Sequence, residues 1–180
     1  KHLRETSMQN FFSYILDNNQ KAIELFRKRS FESLKVADGL KECLVYLKEK
    51  GISVNIVSDI ESERILRAVI QQFLSFFDLM PYFSDIITNY GRLKKSGEID
   101  LTYRGLKKTD GTIYKKLVQD LFDMGIQPSQ ALIIGDRPVE DVEKAKENGF
   151  KAIQFTGITK RRISSAADYV ISDLRELKCF

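Results

Sequence analysis

Sulfur is scarce in this chain: Cys43 and Cys179 are its only cysteines in 180 residues. Two thiols make a poor disulfide framework, and their spacing suits no metal site. Cys43 falls on the inner face of an expected helix, where core packing accounts for it. Histidine is scarcer still, and the lone His2, beside a terminus, reads as a bystander. No stretch approaches the roughly 18 to 20 uninterrupted apolar residues that a membrane span needs. The opening residues also lack the charged, apolar and small-residue order of a signal peptide, so a cytoplasmic protein is expected. Excess charge is small, at +4, with the lysines scattered and few aromatics among them. That pattern is no nucleic-acid footprint, although it tolerates anionic ligands. The chain opens Lys1-His2-Leu3 without an initiator methionine, as a fragment or a processed form would.

What is present is an ordinary globular composition, 43% hydrophobic and 30% charged. A chain of this length buries one main core and can spare a small appendage. From residue 38 onward the apolar period switches repeatedly between helix and strand. Asp38 suits the cap of a helix in which Leu40, Cys43, Leu44 and Leu47 share a face, with Gly51 at its end. "ISVNIV" (52–57), "DIITN" (85–89), "ALIIG" (131–135) and "KAIQF" (151–155) read as short buried strands, and "YVISDL" (169–174) as an edge strand. Helices are expected from Glu61 to Phe77, Asp110 to Met124 and Val139 to Asn148. Such alternation predicts an α/β fold with a Rossmann-like parallel sheet flanked by helices.

Residues 1–35 differ, with Met8, Phe11, Phe12, Ile15, Leu16, Ile23, Leu25 and Phe26 on helical stripes broken at "DNN". They read as a small helical appendage, residues 36–180 as the α/β core. The stretch from Tyr90 to Leu106 is polar, basic and long for a strand-to-helix loop. It reads either as a solvated hairpin or as a loop that meets a ligand. Lys160, Arg161 and Arg162 read as a solvated helix start.

Ligands of open parallel sheets bind beyond the carboxyl ends of the strands. Ser58 and Asp59 follow one strand, Asp136 and Asp141 follow another, and Lys108 precedes the helix that opens at Asp110. A hydroxyl at a strand end can donate to an anion that also receives helix N–H groups. A nearby lysine neutralises phosphate as a point cation. Asp136 offers the hard oxygen that Mg²⁺ prefers, and Asp141 can ligate directly or orient bound water. Singly, each has a blander reading as an N-cap, a first-turn acid or a surface lysine; jointly, they describe a site for phosphate and a divalent cation.

"VSD" after a strand, "KTDGTIY" at a helix start, and "IIGDRPVEDV" before a helix, closing with "ADYVISDL", together resemble motifs two to four of the haloacid dehalogenase-like (HAD) hydrolases. The resemblance covers roughly residues 37–175. "KTDGTIY" departs from the common Lys-Pro-Asp-Pro form but keeps Lys108, Asp110 and Tyr114 in register. The resemblance implies that Ser58 binds the transferring phosphoryl group, that Lys108 stabilises its charge, and that Asp136 holds Mg²⁺ with Asp141 in support. It implies a phosphatase that works on a small phosphorylated metabolite through an aspartyl-phosphate; the charge pattern and the lack of a span-length apolar run lead to the expectation of no nucleic-acid and no membrane partner.

The family's nucleophile lies in a first motif, Asp-x-Asp-Gly-Thr, which this chain does not contain. Three accounts stand side by side. The nucleophilic aspartate lies upstream of residue 1, on a strand between those ending at Ser58 and Asp136, and residues 1–35 are the remnant of a cap. Alternatively "YILDNN" is a degenerate first motif with Asp17 as nucleophile. In the third, the protein is a catalytically inactive HAD-fold binding or regulatory module.

Overall fold

The computed structural model describes residues 19–21, 35–67 and 72–179. Contacts divide the chain into two units, Lys1–Val36 and Ala37–Phe180, and every element named below lies in the second. The apolar stripes expected over residues 1–35, and Asp17 among them, fall outside the described residues.

Helix α1 (Leu40–Glu49) buries Cys43 and Leu44, with Leu40 and Leu47 half-buried on the same face. The cap expected of Asp38 is not made; Gly39 takes that position with φ 75°, and no side chain caps the helix. Strand β1 (Ile56–Ser58) is the paired end of the expected 52–57 strand. The segment expected as one helix from Glu61 to Phe77 holds α2 (Glu63–Ile65) and α3 (Gln72–Phe76) on either side of residues outside the described set. Strand β2 (Asp85–Thr88) follows, with Ile86, Ile87 and Thr88 all buried, as befits a strand covered on both faces.

Tyr90 to Leu106 contains a hairpin, with Leu93 and Tyr103 buried rather than solvated. Strands β3 (Arg92–Lys94) and β4 (Ile99–Asp100) extend the sheet antiparallel beyond β2, and a 3-10 turn over Leu101–Tyr103 leads back to the core. Tyr103 is fully buried and ties this hairpin to the next helix, its hydroxyl donating to Asp120 Oδ2 at 2.6 Å. Arg92 and Lys116 also donate to Asp120. Burial raises the Asp120 pKa, but the hydrogen bonds from Lys116 and Tyr103 and the charges of Arg92 and Lys116 more than offset it. The carboxyl therefore lies below its ordinary value.

Helix α4 (Thr112–Asp123) packs Ile113, Tyr114, Leu117 and Leu121 inward at the expected spacing. Strand β5 (Leu132–Gly135) precedes a π-helical turn over Pro138–Glu143, which runs into α5 (Lys144–Glu147). Strands β6 (Lys151–Phe155) and β7 (Tyr169–Ile171) complete the set.

The strands form two sheets, ordered β1-β2-β3-β4 and β5-β6-β7. The pairs β1–β2, β5–β6 and β6–β7 are parallel. Along β6 the faces alternate with period two. Ala152 packs with Tyr114, Val142 and Phe150, while Ile153 and Phe155 pack with Cys43, Ile171 and Leu174. Helices α4 and α5 thus cover one face and α1 the other, the layering of an α/β fold.

Val57 of β1 and Ile133 of β5 pack against the same apolar cluster, which makes the two sheets parts of one layer. No strand pairing joins them among the described residues. On β5, Leu132 and Ile134 are 42% and 38% exposed, unusual for apolar residues of a strand within a layer covered by helices.

Candidate active site

The carboxyl ends of β1 and β5 and the start of α4 converge at one edge of this layer. Lys108 is carried there by a tightly bonded turn. Asp110 Oδ1 accepts from Thr112 N at 3.0 Å and from Thr112 Oγ1 at 2.6 Å, while that hydroxyl accepts from Lys107 N at 2.9 Å. Gly111, the helix N-cap, has φ 76°, a left-handed conformation that proline cannot adopt. This is the physical content of the departure from Lys-Pro-Asp-Pro: a different turn presents the same lysine.

Lys108 links both strand ends. Its backbone N–H donates to Asp59 Oδ1 at 3.1 Å, and its Nζ donates to Asp141 Oδ1 at 2.6 Å. Both side chains of that ion pair are well covered, 13% exposed for Lys108 and 6% for Asp141. Arg137 adds a second tie, with its guanidinium 3.8 Å from Asp59 Oδ2.

Asp141 is seated by the backbone that follows β5. The π turn bonds both Asp141 N and Val142 N to the Arg137 carbonyl, at 3.0 and 3.3 Å. In return Asp141 Oδ2 accepts from Arg137 N at 3.0 Å, in the manner of a capping box. Gly135 makes room for this: a methyl group at its α-carbon would overlap Asp141 Cβ, Cγ and Oδ2. The Gly-Asp pair of the sequence motif is thus a steric requirement of the acid six residues after the glycine. Beneath the site, fully buried Tyr114 donates to the Glu140 carbonyl at 2.8 Å. Burial, with the charges of Asp141, Asp59 and Glu140, pushes its phenol well above the ordinary range.

Asp136 faces a different partner. Its Oδ2 accepts from Thr159 Oγ1 at 2.6 Å and from Arg161 Nε at 2.9 Å. Burial raises its pKa, but these two hydrogen bonds and the Arg161 charge more than offset that, leaving the carboxyl below its ordinary value. Ser58 ends β1, opposite Thr88 in the register, and its hydroxyl has no hydrogen-bond partner among the described residues.

Of the four predicted site residues, then, Lys108 and Asp141 meet directly, Asp136 stands at the end of the same strand that seats Asp141, and Ser58 ends β1 beside Asp59. The sequence reasoning did not find Thr159 and Arg161. Residues 156–164 form neither helix nor strand, so the solvated helix start expected of Lys160, Arg161 and Arg162 is absent. Arg161 is spent on Asp136, and Arg162 pairs with Glu143 at 3.1 Å. Three consecutive cations one strand beyond the motif were the available signal.

As a cation site, the described residues supply little by themselves, since no group of three acidic, histidine or cysteine side chains gathers among them. Both Asp141 oxygens are engaged by donors. Asp136 has one oxygen, Oδ1, to which no other described residue donates. Mg²⁺ takes one or two carboxylates and completes its shell with water and phosphate oxygens. Asp136 fits that role, and Asp141 fits as the acid that holds Lys108.

Residues 1–155 match the sequence model of the haloacid dehalogenase-like hydrolases. Among characterised proteins, the chain is similar to the glyceraldehyde 3-phosphate phosphatases of Pyrococcus furiosus and Pyrococcus abyssi. The first is 24% identical over 84% of this chain and 57% of the relative; the second is 26% identical over 72% and 46%. The chain therefore spans about half the length of these relatives. Among solved structures, a HAD phosphatase from Thermococcus onnurineus is 25% identical with a TM-score of 0.62, over 94% of this chain and 68% of that one. A Bacillus subtilis protein solved bound to magnesium shares the fold at 18% identity and a TM-score of 0.64, over 93% of this chain and 67% of that one. No helix among the described residues is long and apolar enough to cross a membrane.

Proposed function

This chain belongs to the haloacid dehalogenase-like hydrolases, and from that premise we propose that the intact protein is a Mg²⁺-dependent phosphatase of a small phosphorylated metabolite. One observation carries the reading: Lys108, set on a rigid turn, is held by Asp59 at the end of β1 and by Asp141 beyond β5. That places a covered ammonium group where both strands point.

The roles follow from the donors each residue has to give. An ammonium group has three N–H donors. Asp141 takes one from Lys108 at 2.6 Å, leaving two for phosphoryl oxygens. The Ser58 hydroxyl, without a partner among the described residues, donates to the same group. Asp136 would hold the cation through Oδ1. When bound, Mg²⁺ neutralises phosphate charge and orients the group for in-line attack.

The nucleophile is an aspartate outside the described residues, carried on a strand that enters between β1 and β5 in the full-length protein. Three facts support this. Among the described residues each of those strands pairs on one side only, their carboxyl ends are tied across by Lys108 and Arg137, and β5 leaves Leu132 and Ile134 exposed. A parallel strand in that gap would end beside Ser58 and Lys108.

The test is release of phosphate from p-nitrophenyl phosphate by the intact protein with Mg²⁺. Asp136→Asn is expected to lower turnover by a factor of order 10² or more, as loss of a cation ligand should. Activity unchanged in EDTA would remove the metal from the reading. Absence of turnover with retained phosphate binding would point instead to a non-catalytic binding module.

A further inference from the structure

Strand β6 carries Gln154, a polar residue with no solvent exposure. Its amide serves the chain eight and ten residues on. Nε2 donates to the Arg162 carbonyl at 2.8 Å, and Oε1 accepts from Ser164 N at 2.7 Å. Glu143 adds a second anchor there, accepting from Arg162 at 3.1 Å and from Ser164 Oγ at 3.0 Å. At the other end, Thr156 donates to the Ile171 carbonyl from its N–H at 2.8 Å and from its hydroxyl at 3.1 Å. The intervening segment is a strap fixed at both ends.

From this strap Thr159 and Arg161 both reach Asp136, and both donate to the same oxygen, Oδ2. A carboxylate on a strand end can swing about its terminal torsion. Two donors on one oxygen remove that freedom and leave the other oxygen without a donor from the strap.

We propose that Thr159 and Arg161 are positioning residues for Asp136, holding Oδ2 so that Oδ1 is presented as the cation ligand. The inference rests on the reading of Asp136 as the residue that holds the cation. Partners behind a metal ligand typically contribute 10- to 100-fold in metal affinity or activity by orienting it. Arg161 also brings a positive charge that opposes a cation, so its removal mixes two effects of opposite sign. Thr159 is neutral and isolates the orienting effect.

Mn²⁺ serves as the probe, its binding to the intact protein followed by loss of the free-ion electron paramagnetic resonance signal. Thr159→Val, which keeps the shape and deletes the hydroxyl, is expected to weaken Mn²⁺ binding by about tenfold or more. Thr159→Ser, which keeps the hydroxyl, restores it, and Asp136→Asn weakens it further than either. The urea midpoint of each variant checks that the fold is retained, and Thr159→Ala replaces the valine protein should that one unfold. Parent-like binding by Thr159→Val, or failure of Thr159→Ser to restore binding, overturns the positioning role while Asp136 remains the ligand. Parent-like binding by Asp136→Asn overturns both.

Discussion

Removing Lys108 should cost this fold more than removing its partner, and the asymmetry can be worked from the structure. Asp141 is 6% exposed and pinned between the Arg137 N–H and the α-carbon of Gly135, so it cannot move to water when its counter-ion is lost. Breaking a fully buried pair costs about 3–5 kcal/mol when one charge is left uncompensated. Lys108 is 13% exposed, and with the Arg137 N–H still bound to Asp141, Lys108→Met should cost about 2–4 kcal/mol. Asp141→Asn leaves a lysine whose four-carbon stem can carry its charge out to solvent, at a cost of about 1–2 kcal/mol. The double variant should recover about 1–3 kcal/mol relative to the sum, because residues in contact couple. Urea unfolding at pH 7 with linear extrapolation measures all four corners of this cycle. Equal losses below about 0.5 kcal/mol for both single variants, the range of ordinary surface changes, or strict additivity in the double, would refute the reasoning.

Gly135→Ala should destabilise by about 1–3 kcal/mol, as overpacking does, and should also lower turnover, because its methyl group displaces Asp141 and with it Lys108. A parent-like crystal position for Asp141 in that variant would dismiss the steric account. Asp120 is held below its ordinary carboxyl pKa, so the folded state keeps it deprotonated where the unfolded chain would take up a proton. Its contribution is therefore complete above about pH 4 to 5 and is lost as pH falls through the folded value. Asp120→Asn should cost about 1–3 kcal/mol at pH 7 and flatten the acid limb of stability against pH; an unchanged acid limb would argue against it. Amide hydrogen exchange tests the gap between the sheets. In the full-length protein the amides of β1 and β5 should be protected like those of an interior strand, and exchange as fast as that of the edge strand β7 would mean that nothing pairs between them.

Much of this was legible locally. The buried strand 151–155, the helical stripe Ile113, Leu117 and Leu121, and the shared face of Cys43 and Leu44 all follow from apolar spacing, and each appears as read. Short boundaries were less legible. The stretch 52–57 reads as one strand, yet the regular ladder covers only Ile56–Ser58, with Val54 held outside it by a single bond from Ser84 N–H at 2.8 Å, because pairing rather than propensity decides where a strand begins. Asp38 is a good capping residue by type, but Gly39 takes the cap position. The cluster Lys160, Arg161 and Arg162 looked like a solvated surface because its anions, Asp136 and Glu143, stand 25 and 19 residues earlier than Arg161 and Arg162.

The sequence by itself determined the alternating elements, the α/β class, and which residue types stand at the strand ends: Ser58, Lys108, Asp136 and Asp141. Those are consequences of interactions a few residues apart, which periodicity and turn chemistry record. Tertiary structure alone decided the partners: Lys108 on Asp141 across 33 residues, Thr159 on Asp136 across 23, and the edges of β1 and β5 that stay unpaired among the described residues. Strand order brings distant loops to one edge, and the electrostatics of a site depend on which charges arrive there together.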